Sequence, residues 1–159
     1  MRVLIAPDSF GDTLTAADAA AAIAAGWSSE IDDDLILAPQ SDGGPGFVDA
    51  LATVGGDVVE SVVSGPLDGR VTARWLLQDA TAYIEVAQVV GLALLGRDPD
   101  PDTAVAAHSR GVGELIAEAI GRGASTIVVG LGGSSSTDGG AGMIAALGGP
   151  RAAAVALRD

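Results

Sequence analysis

The chain has 159 residues, a length typical of one domain with a buried core, and 48% of them are hydrophobic although only 3% are aromatic. Its formal net charge of −13 arises from 21 acidic residues against 8 basic ones, so we expect no nucleic-acid partner. The absence of cysteine excludes disulfides, thiol catalysis and zinc–thiolate sites, and no apolar run reaches the roughly 18–20 residues of a membrane span. Because the N-terminal apolar run is too short for a signal peptide, we expect a cytoplasmic protein without a membrane partner.

The first part of the chain predicts alternating strands and helices. Short apolar runs at 2–6 and 35–38, each closed by proline, are typical of buried strands. Between them, a capping box at Thr15 predicts a helix that its apolar spacing carries to about Trp27. A further helix is expected over 47–54, where glycines stop it. This order with short connections favours a parallel sheet covered by helices.

The second part begins with three successive strands and returns to the alternating pattern. A strand-rich subdomain is expected over 57–88, as an antiparallel patch with strands at 58–63, 71–77 and 81–86. A long helix should run from Asp102 or Thr103 to about Ile120, before a strand at 127–129, and the tail at 152–156 is too short for an element of its own. The predicted class is therefore α/β: a three-layer, Rossmann-like domain with a mainly parallel sheet and a small strand-rich subdomain in the middle.

Three loops combine aspartate, serine and glycine. They are PDSFGDT at 7–13, SDGGPG at 41–46 and GGSSSTDGGAG at 132–142, and each follows a predicted strand. Because loops at the carboxyl ends of parallel strands line the ligand crevice of such sheets, we expect the three preceding strands to pair in parallel and to present their loops at one edge. The alternative is that the glycines only permit tight turns and the aspartates and serines only cap helices.

The common signatures of nucleotide and serine chemistry are absent. All eight basic residues are arginine, so a P-loop with its lysine cannot be present. The segment that starts at Gly130 has Ser135 where the dinucleotide fingerprint requires glycine, and no G-x-S-x-G nucleophile elbow occurs. His108, the single histidine, falls within the predicted long helix and is interpreted as a residue of its surface or end rather than as a catalytic base.

Five stretches together resemble the motifs of the bacterial glycerate kinase family. In order they are MRVLIAPDSF, SDGGPGFVDAL, GPL, HSRGVGELI and VGLGGSSSTDGGAGM, and they extend from Met1 to about Gly149. The most specific parts are Asp42–Gly46 and Gly132–Gly140. The resemblance implies a phosphotransferase that uses ATP and Mg²⁺ to phosphorylate the alcohol group of D-glycerate, with its active site in the cleft between two α/β domains. Since family chains continue far beyond this length, it also implies that residues 1–159 are the N-terminal part of such a kinase.

The first loop departs from the family pattern. Most members carry Ser-Phe-Lys-Gly after the first aspartate, whereas this chain has Ser9, Phe10, Gly11 and Asp12. The resemblance places a phosphate-neutralising lysine at position 11, next to which this chain has an additional carboxylate. An actinobacterial-type branch of the family shares the loss, so the loss need not abolish function.

Candidate site residues come from all three loops. Backbone N–H groups at a helix N-terminus bind anions, so Gly132, Gly133, Ser134 and Ser135 are expected to hold phosphate. Asp42 and Asp138 are candidates for the catalytic base or for Mg²⁺ ligands, because Mg²⁺ prefers hard oxygen donors; which of them has which role stays open. The remaining substrate- and phosphate-binding candidates are Asp8, Ser9, Gly43 and Gly44. The alternative is a non-catalytic fragment or paralogue that binds an anionic metabolite.

Overall fold

A computed structural model of the chain describes residues 1–11 and 13–157; Asp12 lies outside these described residues. The strands are β1 (Arg2–Ile5), β2 (Asp34–Leu37), β3 (Asp57–Ser64), β4 (Arg70–Gln78), β5 (Thr81–Glu85) and β6 (Thr126–Gly130). The helices are α1 (Ala16–Ser28), α2 (Phe47–Ala52), α3 (Ala87–Val90), α4 (Pro101–Ala106), α5 (Arg110–Gly121), α6 (Ala141–Ala146) and α7 (Pro150–Ala156). Within the described residues, no helix is long and apolar enough to cross a membrane.

The strands form two sheets. β1 and β2 pair in parallel, and the second sheet has the order β3-β4-β5-β6. Within the second sheet β3, β4 and β5 are antiparallel neighbours, as predicted, while β5 and β6 pair in parallel. The α/β class is therefore confirmed, with both parallel and antiparallel pairs.

The predicted parallel pairing of all three loop-bearing strands is wrong for the strand at 127–129. β6 aligns with β5 from Thr81 opposite Thr126 to Glu85 opposite Gly130, and it does not join β1 and β2. The amide N–H groups of Ser125 and Thr126 both donate to the carbonyl oxygen of Ala80, which ties the start of β6 to the turn before β5. A short apolar run predicts a buried strand, but it contains little information about which other strand it pairs with.

Helices cover both faces of the four-stranded sheet. On one face, Leu115 and Ile116 of α5 pack in the core with Trp75 and Ile84 of the sheet. On the other face lies α2, where the Phe47 and Tyr83 rings meet edge to face with centroids 6.3 Å apart. Since adjacent residues of a strand point to opposite faces, this alternation produces the three predicted layers.

The helices agree with prediction where local sequence signals determine their ends. The Thr15 side chain accepts a hydrogen bond from the Asp18 amide, and α1 ends at Ser28, close to the predicted end. The prediction of one long helix ending near Ile120 is wrong, because the structure has two helices there, α4 and α5. His108 lies between these two helices, where its amide donates to the carbonyl oxygen of Pro66. The tail predicted to be too short for an element forms α7.

Candidate functional site

The second and third loops meet backbone to backbone, although they follow strands of different sheets. The Gly132 amide donates to the Gly43 carbonyl oxygen at 3.0 Å. A Cβ atom on Gly132 would lie 2.3 Å from the Gly44 Cα, closer than real contacts permit. The glycines at this junction therefore allow the two chains to touch, and the structure brings together the predicted residues Gly43, Gly44 and Gly132.

The first loop meets the second across a cavity. The cavity has a volume of about 520 Å³ and includes Ser9 and Gly46 in its lining, together with the start of α1. Asp8 is exposed, and its carboxylate accepts a hydrogen bond from the Ser9 amide at 2.6 Å. The residues that line this cavity come from the first and second loops, α1 and α2, and none of them belongs to the third loop. The described residues thus form two pairwise contacts between loops rather than one crevice lined by all three.

Asp138 is the hydrogen-bonding centre of the third loop. One carboxylate oxygen accepts from the Ser109 amide, the Ser109 hydroxyl and the Gly142 amide, each at 2.9 Å. The other oxygen accepts from the Ser136 hydroxyl at 2.9 Å and the Gly140 amide at 3.0 Å. Burial raises the pKa of Asp138, but the hydrogen bonds from Ser109, Gly142 and Gly140 outweigh it and hold the pKa well below its ordinary value. The carboxylate is therefore ionised and has protein donors on both oxygens.

The two candidate carboxylates differ in their capacity for a cation. A carboxylate offers about four lone-pair sites, and the five donors at Asp138 use that capacity. Asp42 is exposed, and its hydrogen bond is to the Gly44 amide at 2.9 Å, so it keeps acceptor sites for a metal ion or a hydroxyl proton. Among the described residues no group of three or more metal-ligating side chains converges. Asp42 thus keeps free acceptor sites that a cation such as Mg²⁺ requires, whereas protein donors already bind the oxygens of Asp138.

Most of the predicted anion donors bind within the protein. Gly43 donates to the Ser41 hydroxyl and Gly44 to the Asp42 carboxylate, while Gly132 donates to the Gly43 carbonyl oxygen. The amide and hydroxyl of Ser135 both donate to the carbonyl oxygen of Val90, at 2.8 and 2.9 Å. Within the described part of the chain, Gly133 and Ser134 are the predicted donors whose amides have no hydrogen-bond partner.

The protein's own carboxylates occupy the helix N-termini behind both glycine-rich loops. Asp138 accepts from Gly140 and Gly142 at the start of α6, so a carboxylate of the protein already binds this helix N-terminus, and phosphate binding by the third loop stays a prediction. At α2 the equivalent carboxylate is Glu85, which accepts from the Val48 amide at 3.1 Å. Burial raises the pKa of Glu85, and the hydrogen bond from Val48 only partly offsets that rise.

Glu85 is a site residue that the sequence analysis missed. It is the last residue of β5, two residues before the start of α3, and is 2% exposed. A lone acidic residue at the carboxyl end of a buried strand was the available signal. His108, which the sequence analysis interprets as a helix-surface or helix-end residue, lies between α4 and α5 with its Nε2 atom 3.4 Å from an oxygen of Asp68.

The fold and the loop contacts define a class: an α/β protein with glycine-rich loops packed against each other at the ends of its strands. The chain belongs to the glycerate kinase family, since the model of that family matches residues 3–154. It is 58% identical to an uncharacterized protein of Mycobacterium bovis, over 100% of this chain and 42% of that protein. It is 42% identical to the glycerate 2-kinase of Escherichia coli, over 93% of this chain and 39% of that enzyme.

A solved structure has the same fold. It is that of a Salmonella typhimurium LT2 protein assigned as glycerate kinase 2, which superimposes with a TM-score of 0.77 at 39% identity and matches 93% of this chain and 41% of that one. The chain thus spans about two fifths of the length of the relatives it matches.

Proposed function

We propose that residues 1–159 form the N-terminal part of a two-domain glycerate kinase, which transfers a phosphoryl group from ATP to an alcohol group of D-glycerate. The observation that carries this proposal is the family match over residues 3–154. Relatives named for glycerate kinase activity, from Escherichia coli and Bacillus subtilis, support it at 42% and 43% identity. Since the proposed phosphoryl donor is ATP, we also propose a cytoplasmic location.

The proposed roles follow from which polar groups stay free. Phosphoryl transfer depends on in-line positioning and on neutralising the charge of the phosphate oxygens. Asp42 would hold Mg²⁺, which supplies that neutralising charge when bound, or would orient the attacking hydroxyl. The free amides of Gly133 and Ser134 would bind a phosphate oxygen. Asp138 acts as a positioning residue, because its hydrogen bonds join the start of α5 to the third loop.

Asp8 and Ser9 are proposed to contact the sugar-acid substrate from the first loop. Ser9 lines the 520 Å³ cavity, which is large enough for a three-carbon acid. Gly43 and Gly44 would set the width of this cavity by fixing the second loop against the third, rather than by donating to the ligand. Their amides are already bound to Ser41 and Asp42.

A second candidate function is non-catalytic binding of an anionic metabolite. It is favoured by the internal use of the Gly43, Gly44, Gly132 and Ser135 amides, which leaves few donors for ATP. In an open site the remaining donors act in high dielectric, where two unit charges about 4 Å apart interact by only about 1 kcal/mol. For residues 1–159 alone we therefore expect weak anion binding and negligible turnover.

A coupled assay with D-glycerate, ATP and Mg²⁺ tests the proposal. It compares residues 1–159 alone, the full-length Mycobacterium bovis relative, and a chimera in which this chain replaces the matching region of that relative. We expect turnover from the relative and the chimera, and almost none from residues 1–159. An active relative with an inactive, folded chimera would favour the non-catalytic function, and robust turnover by the short chain would contradict the two-domain requirement.

A further inference from the structure

Two arginines from distant parts of the chain converge on one carboxylate. Arg70, at the start of β4, places its Nη1 atom 3.3 Å from one oxygen of Glu114. Arg110, at the start of α5, places its Nε atom 3.2 Å from the other oxygen. Glu114 also accepts from the amide and the hydroxyl of Ser64, both at 2.8 Å. The carboxylate thus has four donors on two oxygens, and it anchors both guanidinium groups.

Among the described residues, Glu114 is the carboxylate that forms ion pairs with these two arginines. Burial raises the pKa of Glu114, but the hydrogen bonds from Ser64 and the arginines outweigh it, so the pKa is lowered and Glu114 carries a single negative charge against two guanidinium charges. Four other arginines have one carboxylate each; the pairs are Arg2–Asp34, Arg74–Asp49, Arg97–Asp100 and Arg122–Glu118. In a chain with a net charge of −13, two arginines on one carboxylate are therefore an exception.

Both arginine side chains are largely exposed, and Arg70 also donates from Nη2 to the Val62 carbonyl oxygen. The side chains of Arg70 and Arg110 are 58% and 56% exposed, whereas that of Glu114 is 25% exposed. A guanidinium group has five N–H donors in a planar fork that matches the geometry of carboxylate and phosphate oxygens. The Arg110 contact to Glu114 uses Nε, so its two terminal nitrogens stay available. The nearby Asp68 carboxylate lies against His108.

The arginine pair lies beside the third loop. Ser109, which precedes Arg110, donates its amide and its hydroxyl to Asp138 of that loop. Its hydroxyl also accepts from the Met143 amide in α6 at 3.0 Å. These bonds hold the start of α5, and with it Arg110, against Asp138 and the start of α6.

We propose that Arg70 and Arg110, anchored by Glu114, bind a small oxyanion: the carboxylate of an organic acid or a phosphate group. The inference deepens the proposed function and rests on it, because the site would hold the charged end of a substrate beside the third loop. Arginine suits this role, since its paired donors fix an oxyanion in orientation as well as in place. An exposed site of this kind is sensitive to ionic strength.

The test measures anion binding by isothermal titration calorimetry at low ionic strength, separately with D-glycerate and with inorganic phosphate. The variants are Arg70→Gln, Arg110→Gln and the double substitution. The matched control is Arg97→Gln, because Arg97 is 57% exposed and, among the described residues, pairs with one carboxylate, that of Asp100. Far-ultraviolet circular dichroism and urea unfolding verify that each variant is folded.

We expect the double substitution to weaken binding of at least one anion tenfold or more, each single substitution to weaken it less, and Arg97→Gln to change it less than twofold. Loss of D-glycerate binding alone assigns the site to a carboxylate, and loss of phosphate binding alone assigns it to a phosphate. Wild-type affinity for both anions in the double variant, or binding of neither anion by the wild-type chain, overturns the inference.

Turnover by the chimera separates this inference from the proposed function. An active chimera whose anion binding is unaffected by the double substitution overturns the arginine site and leaves the kinase proposal standing. An inactive chimera whose anion binding depends on both arginines leaves the site standing and overturns the kinase proposal.

Discussion

Two carboxylates, Asp138 and Glu114, each hold several segments of the chain together. Asp138 receives donors from Ser109, Ser136, Gly140 and Gly142, and Glu114 joins β3, β4 and α5 through Ser64, Arg70 and Arg110. Charge-assisted hydrogen bonds of this kind contribute roughly 1.5–3 kcal/mol each, more than neutral ones. At the residue scale, the order of the third loop therefore depends on an ionised Asp138.

Replacement of Asp138 by asparagine tests this dependence. Whichever way the amide lies, its NH₂ group faces a backbone N–H donor, from Gly140 on one side or from Ser109 and Gly142 on the other. We expect Asp138→Asn to lower the free energy of unfolding by about 1–3 kcal/mol, measured by urea denaturation at pH 7. The exposed Asp32 provides the control, since Asp32→Asn should change stability by no more than about 0.5 kcal/mol. Equal stability of both variants would contradict a structural role for Asp138.

The lowered pKa of Asp138 also predicts that the free energy of unfolding depends on pH. Because hydrogen bonds lower the pKa of Asp138 in the folded state, its contribution is fully present above the ordinary value of 3.8 and is lost as the pH falls further. Unfolding experiments between pH 5 and 2.5 should show a steeper loss of stability for the wild-type chain than for Asp138→Asn. Parallel curves for the two proteins would show that the carboxylate does not titrate with folding.

For Glu85 we expect the opposite pH dependence of stability. Burial raises the pKa of Glu85, so its contribution to stability is largest in acid and declines as the pH rises through the folded-state value. Glu85→Gln should preserve the acceptor for the Val48 amide while removing the buried charge, so we expect equal or greater stability at pH 7. Glu85→Leu leaves that amide without its partner and should cost about 1–3 kcal/mol. Urea midpoints of both variants measure the difference, and equal effects would contradict the acceptor role.

At the element scale, the contact between the second and third loops is made by backbone rather than by side chains. A methyl group on Gly132 would collide with the Gly44 backbone at 2.3 Å, so we expect Gly132→Ala to separate the loops and lower stability by about 2 kcal/mol or more. Gly26 within α1 is the matched control, since a Cβ there meets no atom within 4 Å. Gly26→Ala should raise stability by about 0.5–1 kcal/mol, and the two changes are compared by urea unfolding. Tolerance of alanine at position 132 would contradict the close packing.

Local signals predicted the elements whose boundaries depend on neighbouring residues. The Thr15 cap at the start of α1 and the antiparallel pairing of the successive strands β3 and β4 depend on residues close together in sequence, and both are confirmed. The capping box itself is half formed, because the Asp18 carboxylate accepts from the Thr15 hydroxyl. The break between α4 and α5 was missed because distant groups cause it: Pro66 binds the His108 amide and Asp138 binds the Ser109 amide. The partner of β6 was missed for the same reason, since strand pairing is decided by non-local packing.

The sequence predicts which loops form the candidate site, but it does not predict which of their backbone amides are bound within the protein. The sequence identified the second and third loops, which the structure brings into contact. It could not reveal that Gly132 donates to Gly43 or that Ser135 donates to Val90, because these partners lie far away along the chain. Backbone amides look alike in any glycine-rich loop, and only the folded chain determines which of them stay free for a ligand.

At the scale of the whole molecule, the small sheet leaves one face largely uncovered. Leu4 and Ile36 are direct partners in the β1–β2 pair, and they are 63% and 42% exposed. Exposed apolar side chains on a short sheet with unpaired edges favour association between molecules. We expect the combined change Leu4→Lys and Ile36→Glu to reduce self-association in sedimentation velocity measurements over a concentration series. Val105→Lys changes an isolated residue that is 88% exposed and should have little effect. A wild-type chain that stays monomeric at all concentrations would contradict this prediction.

The carboxylate at the start of α6 acts as a tethered anion. Asp138 lies only two and four residues before the amides of Gly140 and Gly142 that it binds, and for so short a tether the effective concentration is on the order of millimolar or higher. Dilution cannot release such an internal ligand, and a free anion of equal intrinsic affinity must exceed that concentration to displace it. The loop is therefore ordered before any substrate arrives, and a ligand that binds beside it loses less conformational entropy than one that must order the loop itself.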